Sequence, residues 1–171
     1  MDEILSQCSP LFASFTFWYH NPNDNNWSID NYNEIINFNH IEEFWQIMEM
    51  IKPELFESGM FFLMKENIQP TWEDDANVNG GCISFKIEKQ SVYQIWEQML
   101  VHLISNNLPD NINGISISPK KNFNIIKLWL SEQIEVSDFK LPDTLQLGNI
   151  PILFRSHEYN IEKDKIKNKN E

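Results

Sequence analysis

Two tryptophans stand where the sequence is otherwise polar and broken. Trp72 follows Gln69-Pro70-Thr71 and precedes Glu73-Asp74-Asp75, and the stretch closes on Gly80-Gly81-Cys82. Trp27 emerges from Asn21-Pro22-Asn23-Asp24-Asn25-Asn26, a turn cluster by composition. An exposed aromatic beside a carboxylate can stack on a planar ring and accept hydrogen bonds from that ring's edge. A surface turn whose Trp folds back onto the core would have the same local sequence, so each stretch alone leaves both readings open. Glu73, Asp74 and Asp75 could also be imagined as Mg²⁺ ligands of a nucleotide-hydrolysing site. Successive residues of an extended segment point in alternating directions, which seldom brings three in a row to one metal. The sequence offers no Glu-rich helix, Gly-rich phosphate loop, or Cys–His or Ser–His pairing to support hydrolysis. Cys8 and Cys82 give no metal-site spacing, and His20, His40, His102 and His157 are scattered. No metal or cofactor is expected, and the histidines read as structural or surface residues.

The chain's 171 residues suit one domain with a sizeable core and are too few for two. A hydrophobic content of 42% and an aromatic content of 13% describe a globular chain. Six Trp and twelve Phe leave room for rings used in recognition as well as packing. The formal net charge of -12 argues against sequence-independent binding along a nucleic-acid backbone. The cations are few but grouped, at Lys120, Lys121 and Lys127 and at Lys163, Lys165, Lys167 and Lys169, so a ligand with localised phosphates remains possible. Neither a signal peptide nor an apolar run long enough to span a bilayer is evident. With only two Cys, a reducing compartment is expected, cytoplasmic or also nuclear.

The elements that must position these residues can be read from periodicity. Residues 1–9 form a loose arm. Phe12 to His20 alternates as a strand with two useful faces, and a second extended run after Trp27 reaches about Phe38. From His40 to Lys52, Ile41, Phe44, Trp45, Met48 and Ile51 recur at helical spacing, with Asn39 as cap and Glu42 and Glu43 in the first turn. Strands are expected at 60–64 and 83–87. A second helix runs from Val92 to about Ser105 behind a Ser91 cap. Its wide apolar surface fits either a helix that covers the core and meets a partner, or one that is merely well buried. Two strands, 114–118 and 123–130, form a hairpin across Pro119-Lys120-Lys121-Asn122, where lysines are usually just solvated. A short helix at 137–147, a last strand at 151–155 and a mobile polar tail from Ser156 complete the chain. The expected organisation is one α+β domain over 10–163, with a lysine-rich disordered tail at 164–171.

In order and spacing these residues resemble the eukaryotic translation initiation factor 4E family, which binds the 7-methylguanosine cap of messenger RNA. Ser9-Pro10-Leu11 and Phe15-Thr16-Phe17-Trp18-Tyr19 are similar to the family's opening and first strand. Trp27, Ile41-Glu42-Glu43-Phe44-Trp45, Pro70-Thr71-Trp72-Glu73-Asp74, Trp96, Trp129 and Ser156-His157 follow in family sequence, so all six Trp fall on family positions. The resemblance implies a curved antiparallel sheet of about eight strands, with three helices on its convex face. It implies that Trp27 and Trp72 stack on the two faces of a methylated guanine, gaining about 0.5–2 kcal/mol of cation–π energy per contact. Glu73 would accept both N1–H and N2–H of guanine, a charge-assisted pair that adenine cannot make. Trp129 would touch the methyl group, and Asp74 and Asp75 would only support the loop. Lys120, Lys121 and Lys163 would meet the phosphates. Cys82 stands where the family usually has Arg, and Asn122 and Ile125 where further lysines are common, which implies fewer phosphate contacts.

The family's partners dock on the helices opposite the cap, through a Tyr-x-x-x-x-Leu-φ helix (φ apolar) carried by a scaffold factor 4G or a 4E-binding protein. The matching positions here are Pro10, Ile41, Trp45, Leu100, Val101 and Ile104, with Trp45 as an exposed anchor. Glu97 and Gln98 depart from the pattern beside Trp96. The resemblance thus implies a binding protein without catalysis. A cap-binding repressor of the same fold is the alternative, with a Mg-dependent hydrolase more remote.

Overall fold

The computed structural model describes residues 8–145, 147–148 and 150–167. The period-two runs form seven strands: β1 Pro10–His20, β2 Tyr32–His40, β3 Met60–Lys65, β4 Gly81–Glu88, β5 Ile112–Pro119, β6 Phe123–Leu130 and β7 Ile152–Ser156. They pair antiparallel in one curved sheet, ordered β2-β1-β3-β5-β6-β4-β7. Strand alternation sends one set of side chains to each side. Phe15, Phe17, Leu63, Ile83, Phe85, Ile115, Ile117, Ile126 and Leu128 face the helices and form the main core. Phe62, Met64, Cys82 and Trp129 face the opposite, concave side and make a second, smaller cluster with Tyr32.

Among the described residues four α-helices accompany the sheet: α1 Ile41–Met50, α2 Pro53–Ser58, α3 Val92–Ile104 and α4 His157–Lys167. The helix expected over 40–52 stops at Met50, because Pro53 starts a new one at its first turn. His40 rather than Asn39 is its N-cap residue. The Glu43 carboxylate accepts the backbone N–H of both, each at 3.1 Å. Ser91 occupies the N-cap of α3 without a side-chain capping bond. Buried Val92, Trp96, Met99, Leu100, Leu103 and Ile104 show that the wide apolar surface of α3 mainly serves the core.

Two further segments differ from the sequence expectation. The described residues of 137–147 are not helical but form isolated turns, such as Leu145 N–H to the Pro142 carbonyl at 2.9 Å. Pro142 has no N–H to give a helix, and Phe139, Leu141, Leu145 and Leu147 instead pack as a strap against the core. The segment after Ser156, expected to be mobile, is helix α4 as far as Lys167. Ser156 Oγ accepts the Tyr159 N–H at 3.2 Å, and buried His157 anchors the first turn. Most of the expected arm, residues 1–7, and the end of the expected tail, residues 168–171, lie outside the described residues. No described helix is long and apolar enough to cross a membrane.

Candidate functional site

The two Trp-bearing loops meet on the concave face. Loop 21–31 is held by its own Asn and Asp side chains. The Asp24 carboxylate accepts the Asn26 N–H at 2.8 Å and the Asn31 amide at 2.6 Å, and Asn26 Oδ1 accepts the Ser28 N–H at 3.0 Å. These bonds, that from Asn26 first, hold the Asp24 carboxyl below its ordinary range. Trp27 at the crest is 47% exposed. One face of its indole stacks on the fully buried ring of His20, with centroids 4.5 Å apart and planes 8° from parallel. His20 Nε2 is in turn 2.9 Å from the Asn26 carbonyl, so the loop and its Trp close on the last residue of β1.

Trp72 lies on loop 66–80, which is tied into the sheet. Asp74 accepts the N–H of Gln69 at 3.0 Å and of Ala76 at 2.9 Å. Buried Asn77 donates to the carbonyls of Gln69 and Thr71 at 3.0 and 2.9 Å, and Asn113 of β5 donates to Asn77 Oδ1 at 2.9 Å. The Gly80-Gly81 pair is needed for close approach rather than for an unusual φ. A Cβ on Gly80 would lie 1.8 Å from the Leu130 carbonyl oxygen, and one on Gly81 2.5 Å from that of Arg155. Half-buried Trp72 packs on the concave cluster that contains Tyr32, Cys82 and Trp129, with Ile29 of the Trp27 loop on the same cluster.

His157 backs Trp72 as His20 backs Trp27. Its ring stacks on Trp72 with centroids 6.5 Å apart and packs tilted by 32° against Trp129 at 5.1 Å. Burial, then the charge of Lys127, push His157 down to about 4, with a Gly81 backbone contact pulling the other way. It therefore stays neutral beside the site near pH 7. Its Nε2 is 3.8 Å from Cys82 Sγ, a thiol that burial pushes up to about 12 against the charge of Lys127. Neither group is activated for nucleophilic chemistry.

Glu73 and Asp74 differ. Asp74 is committed to its own loop. Glu73 is exposed, and its carboxylate makes no hydrogen bond or ion pair with any described residue. Its charge reaches Tyr32, which is held protonated well above its ordinary range, by burial first and by Glu73 second. Tyr32 packs on His20 at 4.6 Å, which links Glu73 to the ring that backs Trp27. Trp129 is buried and fixed by Nε1–H donating to Ser116 Oγ at 2.9 Å. The concave face thus brings Trp27, Trp72, Glu73 and Trp129 into one region.

The other expected residues are placed differently. Lys120 and Lys121 are exposed at the hairpin tip, six residues along β6 from Trp129 at Phe123, or roughly 20 Å at strand rise. Lys163 is exposed on α4. No described contact ties these three to Trp27, Trp72, Glu73 or Trp129. On the helical side, Ile41 and Trp45 are 37% and 42% exposed and Val101 is half-buried. Pro10 is exposed, and Ser9 beside it clamps the start of α1 by accepting the Ile41 N–H at 3.0 Å. Leu100 and Ile104 are core residues, 0% and 3% exposed, so they lie beneath that surface rather than on it. Glu97, which accepts the Tyr93 hydroxyl at 3.0 Å, shares the outer side of α3 with Val101.

His20, Tyr32, His157, Asn77 and Asn113 were not singled out from sequence as parts of the site. For His20 the signal was present: the alternation of β1 puts it on the face of Thr16 and Trp18. The long-range Asn77–Asn113 contact had none.

The sequence profile of the family described as "Eukaryotic initiation factor 4E" matches residues 10–171. The chain is 30% identical over 167 residues to the eukaryotic translation initiation factor 4E of Candida albicans, covering 87% of this chain and 79% of that protein. It is 32% identical over 169 residues to the initiation factor 4E1 of Drosophila melanogaster, covering 91% of this chain but 63% of that longer protein. These relatives are named as initiation factors rather than as enzymes. The fold is similar to that of C. elegans eIF4E-3 in complex with the 4E-binding protein Mextli and a cap analog, with TM-score 0.76, 22% identity, and 91% and 96% of the two chains covered. It is also similar to schistosome eIF4E complexed with m7GpppG and 4E-BP, with TM-score 0.69, 24% identity, and 77% and 76% covered. The chain belongs to the eukaryotic initiation factor 4E family.

Proposed function

We propose that this chain binds the 7-methylguanosine 5′ cap of mRNA on its concave face and a helical peptide of an initiation scaffold or 4E-binding protein on its helical face. The observation that carries the first part is the pairing of two backed indoles with an uncommitted carboxylate. His20 stacks on one face of Trp27 at 4.5 Å and His157 lies offset from Trp72 at 6.5 Å, while Trp27 is exposed and Trp72 half-buried, which leaves ring surface for a ligand. A guanine methylated at N7 is a delocalised cation, which gains from electron-rich rings above and below. Glu73 would accept N1–H and N2–H without giving up a bond it already makes. Adenine presents an acceptor at that edge and would leave a desolvated carboxylate oxygen unpaired, at roughly 1–3 kcal/mol. Plain guanine would lose the cationic part of the stack.

Exposed Ile41 and Trp45 on α1 and half-buried Val101 on α3 support helix-in-groove recognition on the other face. Glu97 on that same side favours partner peptides adapted to this chain. A cap-binding repressor of the same fold is a second reading, motivated by that departure. The commitment of Asp74 to Gln69 and Ala76 argues against three carboxylates shared by one metal. Retention on immobilised 7-methyl-GTP, with release by 7-methyl-GTP and not by GTP, is the expected outcome. Release by both nucleotides alike contradicts methyl-specific binding. Trp45→Ala should lose capture of a Tyr-x-x-x-x-Leu-φ peptide and keep retention.

A further inference from the structure

Two cations that the phosphate set read from sequence does not include lie on the same face of the sheet as Trp129. In the ladder Cys82 pairs with Trp129 on one side and with Arg155 on the other, so Arg155, Cys82 and Trp129 form one cross-strand row on a single face. Phe154 packs into the main core, which turns its neighbour Arg155 to the concave side. Lys127 sits two residues from Trp129 along β6, hence on the same face, in the next row between Ser84 and Ser116. It is half-buried, and its charge reaches both His157 and Cys82. Neither Lys127 nor Arg155 forms a salt bridge or side-chain hydrogen bond among the described residues, although the chain has 25 acidic groups against 13 basic ones. A half-buried cation kept clear of carboxylates costs free energy unless an anion arrives to meet it.

We infer that Lys127 and Arg155 hold the phosphates of the nucleotide whose base fills the Trp27–Trp72 slot, in place of the cation missing at Cys82. The inference rests on the methylguanosine reading above. Lys127 is one row from Trp129, about 7 Å along the strand, whereas Lys120 and Lys121 are near 20 Å away. Lys127 supplies a point charge with the Ser84 and Ser116 hydroxyls in its row. Arg155, on the edge strand, offers a planar fork that matches two phosphate oxygens. His157, which packs on Trp129 and Cys82, is neutral near pH 7, so it neither competes for the phosphates nor repels the base.

The test is calorimetric titration with 7-methyl-GTP and with the phosphate-free nucleoside 7-methylguanosine. The proteins compared are the wild type, Lys127→Met, Lys127→Arg, Arg155→Gln and the double variant Lys120→Met/Lys121→Met. Lys127→Met should weaken 7-methyl-GTP about tenfold, as expected for a lost charge-assisted contact, and leave the nucleoside within about twofold. Arg155→Gln should show a smaller loss of the same kind, Lys127→Arg should restore binding, and the hairpin double variant should match wild type. Wild-type binding of 7-methyl-GTP by both Lys127→Met and Arg155→Gln overturns the inference. So does equal loss of nucleotide and nucleoside, which would place these residues in the architecture of the slot. If the wild-type protein binds neither ligand, the cap-binding reading fails first and the assignment falls with it.

Discussion

Loops 21–31 and 66–80 both carry an indole on an irregular backbone, and they hold it by opposite means. The first is braced by its own side chains, Asp24 to Asn26 and Asn31, and by one stack onto His20. The second is built into the fold through Asn77, Asn113 and a Gly80 pressed against the Leu130 carbonyl. Position of the Trp27 plate is therefore a local property, while position of the Trp72 plate is a property of the sheet. Damage to the first loop should reach binding alone. Damage to the second should reach binding and folding together.

The largest effects are expected at the atoms that would touch the base. Trp72→Ala removes a stacking plate and Glu73→Ala the edge acceptor, each costing roughly 2–4 kcal/mol, or about 30- to 1000-fold in affinity for 7-methyl-GTP. Next comes Asn77→Ala, which strands the carbonyls of Gln69 and Thr71 and the Asn113 amide. A loss of about 2–4 kcal/mol should lower the melting temperature by roughly 5–15 °C and weaken binding as well. Asp24→Ala sharpens the contrast: binding should fall several-fold while the melting curve stays in place. If Asp24→Ala melts the protein, or Asn77→Ala leaves the melting temperature unchanged, the distinction between the loops is wrong.

Acid should separate the loops as well. The folded protein holds His157 down to about 4, below its ordinary 6.5, so the unfolded chain takes up that proton first as the pH falls. Stability present above about pH 6.5 is then lost progressively towards pH 4, by up to roughly 3 kcal/mol. His157→Phe should flatten that part of the stability profile. Asp24, whose carboxyl is held low, releases its loop only at more acid pH. The smallest effect is expected at Asp75, which is exposed and without a hydrogen bond to any described residue. Asp75→Ala should bind 7-methyl-GTP like the wild type.

Legibility from sequence followed the range of the interactions. Seven strands and the two long helices were readable because period-two and helical spacing are local consequences of burying one face. Trp27, Trp72, Glu73 and Trp129 are candidates through order and spacing, and only the fold shows Trp72 and Trp129 on one aromatic cluster. The segment at 137–147 and α4 were misread because composition dominated: Pro142 and scattered apolar residues make a strap, and a lysine-rich run is helical once Ser156 and His157 fix its first turn. The resemblance places Leu100 and Ile104 on the partner surface, and the spacing of a broadly apolar helix does not show that both meet the core. The hairpin lysines follow from the resemblance, whereas only the register shows that Lys127 lies one row from Trp129 and that Arg155 shares the Cys82–Trp129 row.

The central claim is that the two indoles and Glu73 form one slot for a methylated guanine. Intrinsic Trp fluorescence during titration with 7-methyl-GTP, GTP and 7-methyl-GTP on Trp72→Ala tests it most directly. Strong saturable quenching by 7-methyl-GTP, little by GTP and a largely abolished response in the variant are predicted. Equal quenching by both nucleotides, or none by either, would contradict it.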